Sequence, residues 1–135
     1  MSDTAILSVH ETILYATDLD RARWFYIELL GLAPIGEGFD GLGFAMRLPR
    51  GSVLIIFKPR ASSKPGRAAP SHGALGPGHI AFSITHDSYA HWMARLQSHS
   101  VEIEQEVTWP NGAKSIYVRD TAGNSVELMA GDIWA

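Results

Sequence analysis

Hydrophobic and polar positions along the chain alternate between two periods, and the order of those periods occurs twice. Residues 8–16 are rich in β-forming side chains and predict a strand. Asp18 is placed as a helix N-cap. Ala22, Phe25, Tyr26, Leu29 and Leu30 then recur at i, i+3, i+4, i+7 and i+8, the apolar face of one helix. Gly31 stands where a C-cap glycine belongs. GLGFAMRL and SVLIIFK follow as strands joined by a Pro-Arg-Gly turn, with a short extra strand near residues 32–35. Residues 59–77, PRASSKPGRAAPSHGALGP, have no hydrophobic period and read as a flexible linker or surface loop.

After that segment the pattern restarts. GHIAFSI predicts a strand, Asp87 and Ser88 offer caps, and Tyr89, Trp92, Met93 and Leu96 make a helical stripe. VEIEQEVTW, KSIYVRD and NSVELMA are strands separated by Asn-Gly and Ala-Gly turns. Glu11 to Trp24 and His79 to Trp92 are both 13 residues apart, so the halves superpose at an offset of 68. The expectation is an α+β fold of two βαβββ modules, with module one over about 6–58, the linker over 59–77 and module two over about 78–131. Two copies of one unit suggest a pseudo-twofold pair of curved mixed sheets whose equivalent positions face each other across a cleft.

Composition narrows the function classes. At 135 residues the chain fits one domain, and 46% hydrophobic against 19% charged residues is too apolar for disorder. A net charge of −3 with no basic run argues against broad capture of nucleic acid or an anionic membrane. No cysteine is present, so disulfides, thiolate metal sites and a cysteine nucleophile are excluded. The start lacks a basic, apolar leader, and no segment reaches the roughly 20 apolar residues of a membrane span. A cytoplasmic protein is the expectation.

Three stretches carry a resemblance. Asp18-Leu19-x-x-Ala22-x-x-Phe25-Tyr26-x-x-x-Leu30-Gly31-Leu32 resembles the first-helix signature of the vicinal oxygen chelate superfamily, the glyoxalase, bleomycin-resistance and dioxygenase proteins. Gly78-His79-Ile80-Ala81-Phe82 resembles the strand that opens its second module. Arg119-Asp120-x-x-Gly123-Asn124-x-Val126-Glu127-Leu128 resembles its closing strand. The resemblance implies that fold, a homodimer, and metal ligands at Glu11, His79 and Glu127. It leaves the reaction open, because one fold hosts many chemistries. Most family members have His at the first of these positions. The neighbour His10 offers an alternative, but side chains alternate along a strand, and register favours Glu11. A fourth family position falls within Leu54, Ile55 and Ile56, none of which binds a metal.

Two carboxylates and one imidazole with open coordination positions suit Mn²⁺, Fe²⁺, Zn²⁺ or Ni²⁺ without choosing among them. The resemblance thus implies a metal-dependent enzyme on a small oxygenated substrate held by bidentate chelation. Glu127 or Glu11 is then also a candidate base, and Tyr117 a candidate hydrogen-bond donor on a strand face shared with Ser115 and Arg119. The alternative is a metal-free, small-molecule binding protein of the bleomycin-resistance kind. Trp109 and Trp134 are candidates for pocket or dimer contacts, and Arg119 for a surface ion pair. His72, His86, His91 and His99 read as solvated, and Glu102 to Glu106 as the polar face of a strand.

Overall fold

Asp18 starts the first helix as expected, its carboxylate accepting a hydrogen bond from the Arg21 N–H at 3.1 Å. A computed structural model of the protein describes residues 4–135. The reading of the chain's start partly concerns Met1, Ser2 and Asp3, which lie outside the described residues. Helix α1 (Leu19–Arg23) runs without a break into a π-helical segment, Trp24–Leu29. Widening the turn to i→i+5, with the Leu30 N–H bonded to the Phe25 carbonyl at 3.0 Å, broadens the inward stripe. Phe25, Tyr26, Leu29 and Leu30 are therefore all buried. A fully buried Phe stabilises by roughly 1.5–3 kcal/mol relative to an exposed one.

Around α1 lie β1 (Glu11–Tyr15), β2 (Ala33–Ile35), β3 (Gly43–Arg47) and β4 (Val53–Phe57), in the sheet order β1-β4-β3-β2. The second module repeats this with β5 (His79–Ile84), α3 (Tyr89–Ser98), β6 (Gln105–Thr108), β7 (Lys114–Arg119) and β8 (Ser125–Ala130), in the order β5-β8-β7-β6. In each sheet the first strand lies parallel to the last and the remaining pairings are antiparallel. These are two four-stranded mixed sheets in two modules, not a closed barrel. Several strands are shorter than read, β1 and β6 most of all. β1 starts at Glu11 because its partner β4 starts at Val53, whose N–H makes the last rung to the His10 carbonyl. β6 begins at Gln105 rather than 101.

One core joins the modules. Leu14, Phe44, Met46, Leu54 and Ile56 of the first sheet cluster with Leu96, Ile116, Val118, Val126 and Leu128 of the second module. A buried polar network crosses the same seam. The Tyr26 hydroxyl donates to Asp120 at 2.6 Å, and Asp120 also accepts from the Asn124 side chain and from the Ala122 and Asn124 N–H groups. Asn124 in turn donates to the Tyr15 carbonyl and accepts from the Gly78 N–H. The side chains of Tyr26, Asp120 and Asn124 all have partners, which is what makes such a network stabilising rather than costly, whereas the buried Thr121 Oγ1 beside it has none among the described residues.

The segment between β4 and β5 holds one helical turn, α2 (Pro59–Ser62). It also folds back on the first sheet. His72, read as solvated, is instead half-buried against Tyr15 and Phe57, because the Tyr15 hydroxyl and its Nδ1 meet at 2.7 Å. His86, His91 and His99 are exposed as expected. No helix of the described residues is long and apolar enough to cross a membrane.

Candidate metal and substrate site

Strand alternation places Ser125, Glu127 and Met129 of β8 on the face of the second sheet opposite the core, together with Ser115 and Tyr117 of β7 and His79 of β5. On this face Glu127 stands beside Ala81 on one side and Tyr117 on the other. His79 Nε2 lies 3.3 Å from Glu127 Oε1, with the histidine side chain half-exposed and the glutamate buried. The second carboxylate oxygen, Oε2, accepts a 2.5 Å hydrogen bond from Ser115 Oγ, which itself accepts from the Trp109 indole N–H at 2.9 Å. Ser115 is wholly buried. His79 is held from behind as well. Its Nδ1 lies 3.1 Å from the Ser125 hydroxyl, which donates or accepts, and 3.2 Å from the Ser125 carbonyl, which only accepts, so either ring nitrogen can carry the proton.

The two tautomers differ at Glu127. With its proton on Nε2, His79 donates toward Glu127 Oε1; with it on Nδ1, the Nε2 lone pair faces that oxygen. Two acceptors facing each other at 3.3 Å repel unless a proton or a metal cation stands between them. Both groups also carry the supporting hydrogen bonds that orient metal ligands. His79 and Glu127 therefore fit a divalent ion as a nitrogen and an oxygen donor. The Tyr117 ring lies across His79, 6.4 Å between centroids and 23° from parallel. Burial first, and then the negative charge of Glu127, raises the Tyr117 phenol above its ordinary pKa, so it stays protonated as a hydrogen-bond donor near neutral pH.

Glu11 sits elsewhere. It is exposed at the start of β1, and its strand face is that of Ile13 and Tyr15, which pack with Ala45, Val53, Ile55 and Phe57 as a separate apolar cluster. Among the described residues no three His, Asp or Glu side chains group to hold a metal, so one chain does not bring Glu11 to His79 and Glu127. His10 is exposed and precedes the strand. The registers of the two sheets match rung for rung: Glu11 pairs with Val53 as His79 pairs with Ser125. Two residues further along β4 and β8, Ile55 of the first sheet occupies the place of Glu127 in the second. The first sheet thus presents an apolar floor where the second presents a carboxylate.

One contributor went unread in the sequence: Ser125 orients His79, and alternation two residues before Glu127 was the available signal. Trp109, read as a candidate for pocket or dimer contacts, steadies Ser115 across a hairpin, and no local pattern marks that contact. Arg119 pairs with Glu104 at 2.6 Å on the surface, as expected, and this holds the Glu104 carboxyl below its ordinary pKa. Trp134 is exposed.

Comparison with known proteins agrees with this architecture. The family model of the Glyoxalase/Bleomycin resistance protein/Dioxygenase superfamily matches residues 8–128. A lactoylglutathione lyase from Agrobacterium tumefaciens is 36% identical, with a TM-score of 0.88 over 95% of this chain and 96% of that one. An integron cassette protein from the Halifax Harbour sewage outfall metagenome shares the fold at 18% identity, with a TM-score of 0.74 over 93% of this chain and 100% of that one. A glyoxalase/dioxygenase from Nostoc punctiforme does so at 20% identity, with a TM-score of 0.70 over 97% and 99%. No match was found among curated proteins. Two modules in matching register, and a family match spanning nearly the whole chain, lead to one assignment: the chain belongs to the glyoxalase/bleomycin resistance protein/dioxygenase superfamily.

Proposed function

We propose that the protein is a metal-dependent enzyme acting on a small oxygenated substrate, of the lyase or isomerase kind represented by its lactoylglutathione lyase neighbour. The observation that carries this reading is the convergence of His79 Nε2 and Glu127 Oε1, each oriented from behind by its own hydrogen bonds. Mn²⁺, Fe²⁺, Zn²⁺ and Ni²⁺ all suit the donors. A divalent ion held there supplies a Lewis acid for two neighbouring substrate oxygens. Glu127 or Glu11 accepts a proton from the carbon beside the polarised oxygen and returns it to the adjacent position, so that an isomerisation gains and loses no atoms. Tyr117 donates a hydrogen bond to a substrate oxygen.

The third ligand, Glu11, comes from a second copy of the chain in a homodimer. One chain holds it on a different face from His79 and Glu127. In that pairing the apolar floor around Ile55 of one copy covers the open site of the other, and the non-chelating part of the substrate lies against it. The apolar floor also favours a second reading, a metal-free binding protein that takes up a hydrophobic small molecule there.

Elemental analysis of untagged protein, with E11A, H79A and E127A beside it, tests the proposal. About one first-row metal per chain in the wild type and a loss in each variant are expected, along with activity toward lactoylglutathione or another small oxygenated compound. Mixing E11A with E127A chains under conditions of exchange should restore one intact site in each mixed dimer. An absence of metal after reconstitution with all four ions would sink the metal reading in favour of the binding protein. Metal and activity retained in E11A would sink the shared centre.

A further inference from the structure

We infer that the segment between β4 and β5 forms a binding site for the oxyanion group, a carboxylate or a phosphate, of a small ligand. Between Asp40 and Asp87 the chain has no Asp or Glu, yet it carries six of its eleven Lys and Arg residues. Lys58, Arg60, Lys64 and Arg67 of that set lie within this segment. Among the described residues the ion pairs are His79–Glu127 and Arg119–Glu104, so none of these four cations meets a carboxylate. Unpaired cations this close in sequence raise the local positive potential and attract an anion.

The segment also has a shaped surface. It borders an open pocket of about 480 Å³ lined by Arg60, Ser63, Ser71, His72 and Leu75 among others, with no acidic residue in the lining. The Arg60 guanidinium, the Ser71 hydroxyl and the His72 imidazole are groups that bind an oxyanion through hydrogen bonds, while the Ser63 hydroxyl already donates to the Arg60 carbonyl at 3.1 Å. A cation has no negative partner here, and an apolar molecule would strand those donors.

The walls are held in place. The His72 N–H donates to the Ser62 carbonyl at 3.0 Å, while its Nδ1 is taken by the Tyr15 hydroxyl. The Nε2 of His72 has no hydrogen-bond partner among the described residues. Arg67 donates to the Ser62 carbonyl at 2.9 Å, with its guanidinium 5.4 Å from the Phe57 ring centroid. Through Tyr15 and Phe57 the site adjoins the apolar floor of the first sheet, but it needs no metal and goes beyond the reaction proposed above.

The test is a titration of the full chain with inorganic phosphate and, separately, with succinate, at ionic strength held constant with chloride and followed by amide NMR. At least one anion should give a saturable shift at Ser63, Ser71 and His72. R60Q should weaken that binding about tenfold or more, the loss of a charge-assisted hydrogen bond. R50Q removes the same charge from the β3–β4 turn and should leave binding unchanged. Saturation by phosphate alone assigns the ligand group as a phosphate, and by succinate alone as a carboxylate. No saturable shift with either anion, or equal effects of R60Q and R50Q, overturns the site.

Discussion

Ser115 holds Glu127 by one oxygen, at 2.5 Å, and thereby leaves the other facing His79. The relationship is geometric rather than merely adjacent: the donor is wholly buried and is itself fixed by the Trp109 indole at 2.9 Å. In S115A the carboxylate loses this restraint and gains rotamers. Metal affinity, read by competition with a chromophoric chelator, should fall on the order of 10- to 100-fold, the usual effect of removing a group that orients a ligand. W109F should show a smaller loss. Wild-type affinity in S115A would show that Glu127 needs no such support.

Y26F removes a hydroxyl whose only acceptor among the described residues is Asp120. Asp120 keeps its bonds from Ala122 and Asn124, so the network is thinned rather than emptied. The expected loss is about 1–3 kcal/mol in urea denaturation. A loss of less than a few tenths would mean that the network contributes nothing net across the seam.

The same tyrosine makes stability depend on alkaline pH. Burial first, and then the charge of Asp120, raises the Tyr26 pKa far above its ordinary value. The unfolded chain releases this proton near pH 10 and the native chain does not. The contribution of Tyr26 is therefore intact below about pH 10 and lost as pH rises beyond it, by up to about 1.4 kcal/mol per unit. Tyr89, raised to about 12 by burial and its hydrogen bond to Glu106, adds to the slope in the same direction. Melting curves between pH 9 and 11.5 should fall less steeply for Y26F than for the wild type, and parallel slopes would exclude the linkage.

Gly43 is a packing glycine in β3. A Cβ there would stand 2.6 Å from both the Ile56 carbonyl oxygen and a Phe57 ring carbon. The ring can swing, but the backbone oxygen belongs to the neighbouring rung and cannot. G43A should cost about 1–3 kcal/mol by overpacking and lower the melting temperature. An unchanged melting temperature would show that β3 and β4 separate at little cost.

Much of the architecture is legible in the residues because its causes are local. The stripe from Ala22 to Leu30 lies inward as its spacing requires. The offset of 68 between Glu11 and His79 returns as matching registers of β1 with β4 and β5 with β8. His72 was read as solvated because the segment around it has no period, and only the fold back onto Tyr15 and Phe57 gives it a surface to pack on. The extra residues assigned to β1 and β6 share that cause, since β-propensity belongs to a stretch of chain but a strand exists only where a partner runs beside it.

The sequence by itself determined the elements, their double order and the strand faces that carry Glu11, His79 and Glu127, because helix and strand periods are properties of adjacent residues. The tertiary structure decided which faces meet. It joined the two modules through one core and through Tyr26, Asp120 and Asn124. It set His79 and Glu127 3.3 Å apart while keeping Glu11 on another face. No pattern along the chain could place those groups, because the orientation of one sheet against another comes from packing and hydrogen bonds between residues as far apart as Tyr15 and Asn124.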